Sequence, residues 1–195
     1  VIFGFNDGVL EVLLVQHAEG ISKGKWGLPG GWIKKKESTD NAAHRLLADL
    51  TGLDNIYLEQ LKAFGDPDRF PLRRVITIGY YALIKREDNI PNLIYDHNDI
   101  LAYSIKNLRN RVRQAPIGFN LLPEKFTLLK LMHLYEEVLG IEMDKSNFRR
   151  KILNMKLLVA LDEKQQDVSH RAAQLYKFDA AIYEKLTQKG FNFEF

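Results

Sequence analysis

The sequence predicts an α+β chain in two parts: a mixed domain over residues 1–114, and a smaller helical domain closed by a two-stranded ribbon over residues 115–195. Three observations predict it. In the first part, apolar β-branched runs alternate with stretches of helical period. From Leu122 the helical period appears twice in succession, with only a tight turn between. Two short apolar runs, 157–161 and 174–178, then flank a polar segment.

Taken in order, Val1–Phe5 and Glu11–His17 are strand-like runs around Asn6-Asp7-Gly8, the composition of a hairpin turn. Residues 24–31 are glycine-rich and carry Trp26 and Pro29, so they read as a loop with special backbone demands. Between Asp40 and Leu50, apolar residues recur at 42, 43, 46, 47 and 50, a helical period that Gly52 stops. Leu61–Phe64 and Val75–Ile84 read as further strands, separated by a polar loop from Gly65 to Arg74. Residues 100–114 form a basic helix that Pro116 terminates. Ile84-Lys-Arg-Glu-Asp runs straight into Asn89-Ile-Pro-Asn-Leu-Ile, which leaves the mixed domain short of a strand. Residues are therefore expected to be missing between about Asp88 and Asn89. The chain also starts in mid-strand at Val1, so more residues are expected upstream, and the lack of a signal peptide says little.

In the second part, Pro123-Glu-Lys-Phe-Thr opens a helix with Thr127 as N-cap, and Gly140 stops it after Leu139. Asp144 caps a second helix, to about Met155. Helix, tight turn, helix and ribbon is the layout of a winged helix-turn-helix. On the second helix Phe148, Ile152 and Met155 share one side and are expected to pack inward. The other side presents Ser146, Asn147, Arg150 and Asn154, with Arg149 and Lys151 on the flanks. Arginine takes guanine edges and asparagine takes adenine, so this face fits a major groove. Lys145, Arg149 and Lys151 suit phosphates, and Ser146 suits either. Lys164, His170 and Arg171 fall in the wing, where backbone or minor-groove contact is the expected role. The plainer alternative for each is a solvated side chain, and it weighs most for Lys164 and His170.

Composition excludes more than it assigns. There is no cysteine, hence no disulfide framework and no thiolate metal site. The longest apolar runs are short and interrupted, so no membrane span is expected. A net charge of +3 does not imply nucleic acid, but its distribution is uneven. Lys106, Arg109, Arg111 and Arg113 lie in a stretch without an acid, and Lys145, Arg149, Arg150, Lys151 and Lys156 crowd around Asp144 alone.

The stretch from Gly27-Leu-Pro-Gly-Gly to Thr51-Gly-Leu resembles a Nudix box, with Gly31, Glu37, Arg45, Gly52 and Leu53 at matching positions. The resemblance implies a Nudix-type α/β/α sandwich with a mixed sheet. Catalysis in that family depends on Mg²⁺ held by helix carboxylates that polarise a diphosphate. Here two of those positions are Leu46 and Leu50, leaving only Asp49. A hydrocarbon side chain offers magnesium no oxygen, so no catalytic residue, metal site or cofactor is expected. Glu37 and Arg45 then remain as a structural ion pair. Magnesium enters only under the alternative, an active Nudix hydrolase of ADP-ribose or another nucleoside diphosphate sugar.

Phe64-Gly-Asp-Pro-Asp-Arg-Phe-Pro followed by Val75-Ile-Thr-Ile-Gly-Tyr-Tyr is similar to the ADP-ribose-processing branch, although Arg69-Phe70-Pro71 departs from its usual Arg-Asp-Pro. Pro116-Ile-Gly-Phe-Asn-Leu-Leu-Pro, Phe126-Thr-Leu, Leu134-Tyr-Glu and Asn147-Phe-Arg-Arg-Lys resemble the Nudix-related (NrtR-type) transcriptional regulators. In that family a degenerate Nudix domain senses a metabolite and a winged helix binds double-stranded operator DNA. The resemblance implies a cytoplasmic repressor acting as a homodimer on a palindromic site, with no membrane partner. Its effector pocket is expected near Trp32, Asp66, Asp68 and Arg69. Two effectors compete: an ADP-ribose-like nucleotide, and a free sugar such as arabinose, towards which the C-terminal wording leans. A protein-interaction module built on the C-terminal helices is the remaining rival, and a lack of salt-sensitive DNA affinity would mark it.

Overall fold

A tight hairpin begins the chain in this computed structural model, which describes residues 1–52, 56–84, 96–166 and 172–195. Strands β1 (Ile2–Asn6) and β2 (Val9–Val12) are joined through Asp7 and Gly8, both at positive φ. Two successive left-handed residues give the turn whose twist matches that of the strands it joins. The expected single run from Glu11 to His17 divides in two. Leu13 still pairs with Ile2, but β3 (Val15–Gln16) leaves the sheet to pair with β4 (Trp26–Gly27), so part of the expected loop 24–31 is strand.

Helix α1 (Thr39–Thr51) opens at Ser38, whose hydroxyl accepts from the Asn41 amide, and closes at Gly52 in the left-handed conformation. Strand β5 (Tyr57–Phe64) starts earlier than expected, and β6 (Thr77–Leu83) pairs antiparallel with it and parallel with β1. The sheet order β2-β1-β6-β5 is therefore mixed.

The pleat sorts the side chains. Ile2, Ala82 and Leu58 stand opposite one another across three strands, and with Ile84 they pack against Leu47 of α1. Phe3 points to the other face, edge-on to Tyr81, which also meets Tyr57. A register shift between Gln60 and Ala63 brings Phe64 opposite Thr77 on that second face. There Phe64 meets Tyr103 of helix α2 (His97–Gln114) edge-on, with Lys62 over both rings. Helices thus cover both faces of the sheet, the α/β/α layering expected.

The chain forms two compact units, Val1–Asn6 with Glu11–Asn107, and Asp7–Leu10 with Leu108–Phe195. The division falls inside α2, not at its end where the 114/115 boundary was expected. In the second unit a 3-10 turn over Pro116–Leu121 leads to α3 (Leu128–Leu139) and α4 (Lys145–Asn154). Thr127 and Asp144 cap the two helices as expected, and Gly140 ends α3 in the left-handed conformation. Strands β7 (Leu158–Lys164) and β8 (Gln174–Phe178) form the ribbon, and Phe126 adds a third edge by pairing with Tyr176. Phe119 stacks on Phe178 at 4.4 Å, and Tyr135 and Phe148 enclose Phe195. Burying rings and aliphatic chains of this size contributes about 1.5–3 kcal/mol each.

Met155 is the C-cap of α4 and only half buried, so the inward stripe ends at Ile152. Helix α5 (Ala180–Gln188), capped by Asp179, was not expected, and it buries no residue fully. The Asp88–Asn89 junction, Leu53, and the wing residues His170 and Arg171 lie outside the described residues.

Gly79 faces Phe64 so closely that a Cβ there would lie 2.6 Å from the ring and 3.4 Å from the Lys62 carbonyl. Gly79→Ala is expected to cost about 1–3 kcal/mol of stability by overpacking. Urea unfolding measures this, and an unchanged midpoint would show that the ring moves aside freely.

Candidate effector cleft and nucleic-acid interface

The loop between β4 and α1 is held by one carboxylate. Glu37 accepts from Arg45 at Nε (2.7 Å) and Nη2 (2.9 Å), and from the Lys34 amide at 3.0 Å. Arg45 Nη2 also donates to the Trp32 carbonyl at 3.1 Å, while its Nη1 lies 3.7 Å from Asp49. These hydrogen bonds, first that from Arg45 and then that from Lys34, hold the Glu37 carboxyl down to about 2. Gly31, Glu37, Arg45, Asp49 and Gly52 thus form one strapped segment in which Asp49 faces the guanidinium.

Leu46 packs directly on Gly31: a Cβ at that glycine would lie 2.6 Å from Leu46 Cδ2. Leu46 and Leu50 are walls of a cleft of about 580 Å³ in the first unit. Among the described residues no group of three or more His, Asp or Glu side chains could hold a metal ion. The donor set at the Nudix-box positions, one exposed aspartate already paired with Arg45, does not fit Mg²⁺.

Of the expected effector residues, Trp32 and Arg69 line this cleft and Asp66 and Asp68 do not. Trp32 is 68% exposed at the mouth, and the Arg73 guanidinium sits 4.8 Å over its ring. Arg69, with its side chain 6% exposed, forks onto Asp96 at 2.7 and 2.8 Å and donates to Thr77 Oγ1 at 2.7 Å. Its cationic edge is spent on the protein itself. Asp66 shapes the turn that delivers Arg69, accepting from the Asp68 amide through its side chain and from the Arg69 amide through its carbonyl.

Tyr80 and His97 are among the lining residues not singled out from sequence. The Tyr80 hydroxyl donates to Asp40 Oδ1 and lies 2.9 Å from Gln60 Oε1. His97 accepts from the Leu28 amide through Nδ1 at 2.8 Å, and burial lowers its pKa to about 4. It joins residues 69 apart in sequence, and no local signal marks such a contact.

In the second unit, α4 buries Phe148 and Ile152 and leaves Lys145, Ser146, Asn147, Arg149, Arg150 and Lys151 exposed. Asp144 caps the Asn147 amide at 2.8 Å, and Arg150 donates to Asn147 Oδ1 at 2.7 Å. The two side chains best suited to base edges are thus pre-oriented as a pair. Lys164 is exposed at the end of β7. No described helix is long and apolar enough to cross a membrane.

Residues 1–119 match the family described as the NUDIX domain, and residues 118–178 match the NrtR DNA-binding winged helix domain. The ADPR responsive transcriptional repressor NtrR of Acinetobacter baylyi is 31% identical, over 94% of this chain and 81% of its own length. The ADP-ribose pyrophosphatase of Methanocaldococcus jannaschii is 29% identical, over 49% of this chain and 68% of its own. The crystal structure of Shewanella oneidensis NrtR complexed with a 27mer DNA superposes with a TM-score of 0.81 at 28% identity, covering 98% of this chain and 94% of that one.

The Glu37 strap makes a pH-dependent contribution with a defined sign. The folded value lies below the ordinary 4.5, so the contribution is complete above that pH and is lost as pH falls towards 2. Wild type should be more stable than Glu37→Gln near neutrality, with the gap closing as acid is added. A gap that stays constant from pH 7 to 3 would mean that the pair does not titrate with folding.

Proposed function

The chain belongs to the NrtR family of Nudix-related transcriptional regulators, and we propose that it is a repressor whose Nudix unit has given up hydrolysis for effector binding. The observation that carries this is the conversion of two carboxylate positions into cleft wall, Leu46 against Gly31 and Leu50 beside it. A site that cannot assemble magnesium has no means of activating water against a diphosphate in the manner of its catalytic relatives.

The effector proposed is an ADP-ribose-like nucleotide. A cleft of about 580 Å³ has the size of a nucleotide-scale pocket, and its walls are largely aliphatic and aromatic. Trp32 and Phe70 offer rings to a base, while a free pentose needs a dense set of hydrogen-bonding side chains. The relative from Acinetobacter is described as responsive to ADP-ribose, which supports the same choice. A sugar effector is the alternative. DNA recognition is assigned to α4, with Arg150 and Asn147 at base edges and Lys145, Ser146, Arg149 and Lys151 towards phosphates; Lys164 and Arg171 contribute from the wing. Two such helices in a homodimer suit a palindromic operator. Duplex DNA as partner places the protein in the cytoplasm with the chromosome.

Thermal unfolding against ADP-ribose, pentoses and hexoses tests the sensing half. At a hundredfold excess over Kd a ligand adds about 2.7 kcal/mol, and the expected shift is with ADP-ribose and without turnover in Mg²⁺. A shift with a sugar alone would replace the effector, and Mg²⁺-dependent hydrolysis would restore the enzyme.

Arg150→Ala is expected to cost about 1–3 kcal/mol of affinity for a duplex enriched by the wild type from a random library. It should cost little on unrelated sequence. Equal losses on both duplexes would remove Arg150 from the bases.

A further inference from the structure

The basic stretch on α2 divides into cations with different employment. Arg109 Nε donates to the Val138 carbonyl at 2.9 Å, and its guanidinium lies against Gly140, the residue that ends α3. It braces the turn into α4 and is committed there. Arg113, one turn further along α2, carries an exposed side chain. Its carbonyl accepts from the Phe195 amide at 2.9 Å. The Phe195 ring packs on Tyr135 at 4.0 Å and on Phe148 at 5.5 Å, and Lys151 Nζ lies 5.2 Å from its centroid. Phe148 and Lys151 both belong to α4. One residue therefore ties the end of α2 to the flank of α4, and it borders an exposed cation on each helix.

We propose that Arg113 extends the phosphate-binding flank of α4, giving the second unit a DNA-backbone contact outside the helix-turn-helix and its wing. This rests on the operator-binding reading above. The partner chemistry is that of a duplex phosphate: a cation on a rigid helix, fixed by its main chain, meets an anion without reading a base. Neutralising a phosphate releases condensed counterions whatever the sequence, so the contact has a signature distinct from that of Arg150.

The test measures affinity of the full chain against salt for wild type, Arg113→Gln and Arg113→Lys, on the library-enriched duplex and on a duplex of unrelated sequence. Arg113→Gln should weaken both duplexes several-fold by the same factor and flatten the slope of log affinity against log salt by about one. Arg113→Lys, which keeps the charge, should retain the wild-type slope. A purely structural role would instead spare the slope or fail to be rescued by lysine. Arg113→Gln with wild-type slope, or a loss confined to the enriched duplex, overturns the proposal and leaves the operator reading standing. Wild type without salt-dependent DNA affinity removes the operator reading itself.

Discussion

The bidentate pair between Glu37 and Arg45 is the constraint on which the first unit depends. A loop rich in glycine and lysine has little reason of its own to hold one conformation. Here it is tied twice to α1: Glu37 gathers the Arg45 fork and the Lys34 amide, and Arg45 reaches on to the Trp32 carbonyl. The Trp32 ring is thereby held at the mouth of the cleft, where the guanidinium of Arg73 covers it. Because this strap runs through Glu37 and Arg45 alone, it does not depend on carboxylates at positions 46 and 50.

That separation explains how the motif keeps its shape with leucine at two of its carboxylate positions. The positions that structure the motif, Gly31, Glu37, Arg45 and Gly52, work through backbone space, ion pairing and a left-handed cap. The positions that bind magnesium work through oxygen alone. Leucine at two of these positions leaves the first set in place, and Leu46 fills the space that a side chain on Gly31 would need. The helix stays amphipathic and the cleft gains hydrocarbon wall.

How much of this could be read from the sequence depends on the range of the interaction concerned. The hairpin at Asp7-Gly8, the stops at Gly52 and Gly140, and the caps Thr127 and Asp144 are decided within a few residues, and each is where local chemistry puts it. The outward face of α4 follows from helical period once Phe148 and Ile152 turn inward. The cleft was legible only in part. Trp32 and Arg69 lie in it, but Arg69 is consumed by Asp96, and Asp66 and Asp68 shape a turn instead of a wall. Tyr80 and His97 escaped notice because pleat and tertiary contact, not spacing, bring them in. The division of the Glu11–His17 run between two sheets was hidden for the same reason: both halves are apolar, and only the partner strand distinguishes them.

The imidazole of His97 takes a proton only near pH 4, and beside it the charge of Arg69 is cancelled by Asp96. At this corner of the cleft the neutral imidazole and the compensated guanidinium therefore present no net charge near neutrality. The burial that keeps His97 neutral also keeps it an acceptor for the Leu28 amide, so this part of the wall holds its shape without an ionic contact of its own.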